Sequence, residues 1–133
     1  MKLELKHLAP YLPYGLRIYD ETSKSSYELD CNNLLNVIKY SLEYQDTKPI
    51  LRPLTDLTKE EFINDILGSA RAMNGCKITP FLQRGGSIDF YTHRKDDTPT
   101  GALLISQYWK LFELHFDVFG LIDKGLAIDI NTI

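Results

Sequence analysis

The stretch "SIDFYTHRK", residues 87–95, sets an acid, a histidine and a lysine in the pattern Asp89-x-x-x-His93-x-Lys95. Asp and His two strand-pairs apart point to one face of an extended segment, and a nearby Lys could steady a phosphate. A trio of that kind is a candidate for holding a divalent metal in phosphodiester hydrolysis. The plainer account is the solvated face of a hairpin, with Asp89, Tyr91 and His93 alternating outward because Ile88, Phe90 and Thr92 alternate inward. The plainer account is the stronger, so the trio stays a weak catalytic candidate.

A second pair, His115 and Asp117, has the residue types of an acid–base or ligand motif. Two positions apart on a helix, however, the side chains point about 200° from each other at the 100° step. Glu113 and Asp117, four apart, either share a cation or face water, and His115 reads as a hydrogen-bonded residue in an apolar stripe. Cys31 and Cys76 lie far apart in the chain without a CxxC partner, which does not support a zinc site. They read as reduced thiols in half-buried positions. No P-loop, GxGxxG, HExxH, GxSxG or EF-hand pattern occurs. No metal site is assigned, and no cofactor is expected.

The eight tyrosines, most of them within the first 44 residues, suit sheet propensity first and a protein interface second. Base stacking would need a basic groove beside it. With 15 basic and 18 acidic side chains the net charge is −3, and the basic residues are scattered singly. That disfavours nucleic acid, whose binding rests on neutralised phosphates. A weaker regulator reading would need Arg17, Lys39, Arg84 and Arg94 to converge on one face.

The 133 residues, 44% hydrophobic and 25% charged, fit one globular domain over 1–133. No apolar run approaches the ~20 residues that span a bilayer. Nothing at the N-terminus resembles a signal peptide, which points to a cytoplasmic setting.

The elements that must position these residues predict an α+β fold with a mostly antiparallel sheet. Leu5 and Leu8 suggest a short helix over about 2–9, before Pro10 and Pro13. "GLRIYD" and "YELDC" read as a hairpin across the polar turn "ETSKSS". Residues 34–44 fit either a helix or a strand, and the meander-like flanks favour strand. "KPILRPL" reads as a short strand that Pro49 and Pro53 confine to a sheet edge or to its central residues. Thr58 and Glu61 have the spacing of a capping box, and the stripe Phe62, Ile63, Ile66, Leu67, Ala70, Met73 predicts one helix over 59–73. A second hairpin turns at Gly85-Gly86, and "DDTPTG" breaks the chain after it. "ALLISQYWKLFELHFDVF" predicts a long central helix near 102–118, with Leu104, Tyr108, Leu111, His115 and Val118 in one stripe. The tail "LIDKGLAIDINTI" alternates like a short terminal strand, and Leu121, Leu126 and Ile128 are expected to be buried against that helix.

Three stretches, "LAPYLPYGLRIY", "KPILRPLTDLTKE" and "LFELHFDVFGLIDKGLAIDINTI", resemble in order and phrasing a family of small proteins encoded in phages and prophages of gut Bacteroides-type bacteria. The resemblance covers about half of the chain. It implies a mobile-element origin and the cytoplasm of a bacterial host, and it carries no activity, substrate or catalytic residue. With no catalytic constellation surviving its plainer account, the expected function is non-enzymatic: an accessory protein that binds another protein or a second copy of itself. Tyr108, Trp109, Leu126 and Ile128 are the candidate interface residues.

Overall fold

The computed structural model describes residues 2–133 and shows an α+β fold. Contacts divide the chain into two compact units, one made of residues 1–53 with 112–133 and the other of residues 54–111. Among the described residues no helix is long and apolar enough to cross a membrane.

The first unit opens on a one-turn helix, α1 (Leu5–Leu8), which tightens into a 3-10 segment over Ala9–Tyr14. Pro10 starts that segment, where a missing amide costs nothing, and Gly15 closes it in the left-handed region at φ 67°. The expected hairpin follows as β1 (Arg17–Asp20) and β2 (Ser25–Glu28), with Ile18 opposite Tyr27. In its turn the Asp20 carboxylate accepts the Thr22 amide.

Residues 34–44 are helical, not extended: α2 spans Leu34–Tyr44. The entry decides it. Asp30 Oδ1 accepts the amides of Asn32 and Asn33, and Asn33 Oδ1 accepts the amide of Asp30, so the first turn is built before the β-branched residues are reached. Val37 and Ser41, one turn apart, are the buried positions, and a strand would have set both on a face shared with the polar Lys39.

Strand β3 (Thr47–Leu51) returns antiparallel to β1, and the tail contributes β7 (Ile128–Asp129), parallel to β3, for the order β2-β1-β3-β7. β3 is therefore internal and not an edge. It tolerates Pro49 because β7 pairs only with Ile50 and Leu51, so nothing on that side asks Pro49 for a donor. The core beneath combines Leu3, Leu8, Tyr11, Leu16, Ile18, Leu29, Val37 and Leu51 with Leu121 and Ala127 of the tail.

In the second unit the helix expected over 59–73 is two helices, α3 (Glu60–Leu67) and α4 (Ser69–Met73), separated by Gly68 at φ 97°. The capping box does not form: the Thr58 hydroxyl donates to the Thr55 carbonyl, and Lys59 occupies the N-cap position. The break turns the predicted stripe aside after Leu67, so Ala70 is exposed and Met73 is 81% exposed, while Phe62, Ile63, Ile66 and Leu67 stay buried.

The second hairpin is present as β4 (Lys77–Leu82) and β5 (Ile88–His93), with Gly86 turning at φ 87°. Residues 96–101 do not end the sheet. Asp97, at φ 68°, and the Arg94–Thr98 main-chain bond make a tight turn into β6 (Pro99–Ala102), giving the order β4-β5-β6.

The last helix, α5, covers only Ile105–Glu113. It starts where Gln107 Oε1 accepts the Leu104 amide, the reciprocal half of a capping box. It stops short of residue 118 because the chain after Leu114 turns to bond Arg52: the Arg52 amide donates to the His115 carbonyl and the Asp117 amide to the Arg52 carbonyl. His115 takes φ 62° at that corner. Leu104 is 65% exposed and Ile105 71%, so α5 is not the all-round buried helix its composition predicts.

Candidate functional site

Asp89 and His93 do share the outward face of β5, as the alternation requires, while Phe90 and Thr92 are buried on the other. Asp89 stands opposite Phe81 and His93 opposite Lys77. Four residues along a strand is about 13 Å, so the two cannot ligate one ion. Lys95 lies beyond the strand with its stem over Gly75, whose added Cβ would meet Lys95 carbons at 3.1–3.2 Å. The nearby Lys77 ammonium is engaged with Asp97 at 2.8 Å. Nδ1 of His93 is buried without a hydrogen-bond partner. Among the described residues no group of three or more His, Cys, Asp or Glu side chains is placed to hold a metal. Both cysteines are free thiols, Cys31 exposed and Cys76 half-buried.

His115 and Asp117 lie past α5 and have structural partners. His115 Nε2 is 2.7 Å from the Tyr14 carbonyl oxygen. The Asp117 carboxylate is 4% exposed and accepts the amides of Leu121, at 2.7 Å, and Ile122, at 2.9 Å. Burial pushes its pKa above the ordinary aspartate value, against the downward pull of those two amides. Glu113 closes α5 and Asp117 sits off the helix, so no shared cation face exists. Beside them the buried Tyr11 hydroxyl donates to the Phe116 carbonyl and accepts the Val118 amide, and burial raises its pKa far beyond the usual phenol range. His7, 2% exposed, accepts the Glu4 amide at Nδ1 and has its ring 5.6 Å from that of Phe119. Burial holds it below the ordinary histidine pKa. These groups fasten the chain after α5 to the N-terminal segment.

The candidate interface residues fall in different settings. Tyr108 is half-buried, its hydroxyl 3.3 Å from the Phe90 amide that donates to it and its ring edge-on to Phe90 at 5.8 Å. It anchors α5 to β5. Leu126 packs partly buried on the first unit's core, and Ile128 is the half-buried partner of Ile50 in the β3–β7 pair. In the tail Leu121 is buried as expected, whereas the other buried position is Ala127, between the expected Leu126 and Ile128, which are half-buried. The difference arises because the Leu126 amide still bonds the Leu121 carbonyl, so 121–126 is a closed turn and alternation starts only afterwards. Phe112 is the α5 residue against that core.

Trp109 is different. The chain's one tryptophan is 57% exposed and lies one helical turn after Ile105 on the same face, with Leu104 just ahead of the helix. Helical spacing sets Leu104 in the stripe with Tyr108 and Leu111, whereas it stands exposed beside Ile105 and Trp109. The Leu104–Gln107 cap was the available signal, because it starts the helix at Ile105. The four basic residues of the regulator reading divide two and two: Arg17 and Lys39 in the first unit, Arg84 and Arg94 in the second. Comparison of the chain with protein-family models, curated proteins and solved structures finds no match.

Proposed function

We propose that the chain is a non-enzymatic accessory protein of a phage or prophage, working in the cytoplasm of a bacterial host by binding another protein through the outer face of α5. The observation that supports this reading is the exposure of Leu104, Ile105 and Trp109 together, at 65%, 71% and 57%. Neighbouring apolar side chains of this size left open to water favour an interaction site, and tryptophan is among the residues that most often dominate binding energy. The cap and the Tyr108 anchor hold the face ready, so little ordering cost falls on association. α2 also exposes apolar residues, but Leu35 and Leu42 are two turns apart and the Tyr40 and Tyr44 rings lie against each other at 6.0 Å.

Affinity capture from a bacterial host lysate tests the reading. Tagged protein should enrich one or a few proteins, and Trp109→Ala should cut that enrichment by about tenfold or more, as for a central interface aromatic. Enrichment of nothing, or of the same proteins by the variant, would refute it.

A further inference from the structure

The chain is acidic overall, yet one concavity of about 310 Å³ in the first unit runs against that balance. Lys2, Lys48 and Lys124 line it, and among the described residues no Asp or Glu does. They come from the N-terminal segment, β3 and the turn before β7, so folding, not sequence proximity, collects them. Their main-chain neighbours set where they start. Leu3, 1% exposed, pins the residue before it; Lys48 lies opposite Tyr19 in the β1–β3 ladder; and Lys124 ends a 3-10 turn that Gly125 closes at φ 72°.

Three lysines line one hollow, and an anion bound there would be attracted to all of them. Lys48 also reaches Glu21, at 3.8 Å, but Glu21 lies outside the lining and such half-exposed pairs hold weakly. The C-terminal end of α2 borders the hollow, and one lysine would answer its negative pole. Three exceed that need. Ser41 and Gln45 add neutral donors at the same wall, Gln45 held in the left-handed region at φ 54°, and Leu3, Leu42 and Leu126 supply an apolar side.

We propose that this pocket binds a small phosphorylated molecule, its doubly charged phosphate between Lys2, Lys48 and Lys124 and its compact remainder on the leucine wall. Lysine suits a phosphate as a point charge. The volume is at the lower end of the roughly 300–1,000 Å³ of small-molecule sites, which admits a phosphomonoester and not a length of nucleic acid. The pocket is independent of the α5 face.

Calorimetry and amide NMR on the full chain would test it, with inorganic phosphate, glucose 6-phosphate, AMP and sulfate as probes and a single-stranded oligonucleotide as comparison. One-site saturable binding of at least one phosphomonoester, tighter than sulfate and shifting the Gln45 and Gly125 amides, is expected. Lys124→Gln should weaken it by about tenfold, the factor for one charge-assisted hydrogen bond. Lys2→Gln serves as the second variant, since Lys2 is exposed and outside regular structure. No binding at millimolar phosphomonoester, unchanged affinity in both variants, or tighter binding of the oligonucleotide would each overturn the proposal.

Discussion

Tyr11 and Asp117 are polar groups sealed inside the first unit, each kept there by main-chain partners. In Tyr11→Phe the hydroxyl's two bonds are lost, but the Val118 amide keeps its bond to the Phe116 carbonyl at 2.9 Å, so chemical denaturation should show a loss of about 1 kcal/mol. Asp117 also makes stability depend on pH. Its folded pKa lies above the unfolded one, so the native state holds the proton more tightly. Its contribution is therefore full below the ordinary value of 3.8 and is lost as pH rises through the folded value. The stability of the wild type relative to Asp117→Asn should accordingly fall as pH rises from about 4, and a difference flat across that range would contradict the assignment. The helical spacing that separates His115 from Asp117 does not apply, because both lie past α5, where His115 meets the Tyr14 carbonyl and Asp117 the amides of Leu121 and Ile122. Nor does spacing disclose Tyr11 as their neighbour, since the hydrogen bond to Phe116 joins residues 105 positions apart.

Elements with purely local determinants were legible, and those settled by distant contacts were not. Both hairpins follow from alternation and turn residues, and each forms with the expected strands paired. α2 is helical although its meander-like flanks favour strand, because the Asp30 and Asn33 bonds start a helix. Gly68 divides the helix expected over 59–73, and α5 ends five residues before the expected 118 because its stop is set by Arg52. Gly68 has open space for a Cβ but sits at φ 97°, so Gly68→Ala should cost about 1 kcal/mol in a denaturant midpoint, entirely from backbone strain. The tail has a larger stake. Truncation after Gly120 removes Leu121 and Ala127 from the core and β7 from the sheet. The thermal midpoint should collapse, because a buried leucine alone contributes about 2–5 kcal/mol against truncation to alanine. An unchanged midpoint would mean the tail is not docked as described.

At the scale of the whole molecule, the predicted elements point to the α+β class that the structure shows, but not to which charges or apolar groups meet. The net charge of −3 predicts no salt-sensitive gel shift with duplex DNA. What the molecule does offer is the face at Ile105 and Trp109. The most direct measurement of its role is photo-crosslinking in host lysate from a reactive residue at position 105, set against one at position 35. Ile105 and Leu35 are both 71% exposed, so exposure alone predicts equal labelling. A partner at α5 predicts a discrete crosslinked band from 105 and none from 35, whereas bands from 35 only, or from neither, would contradict the account.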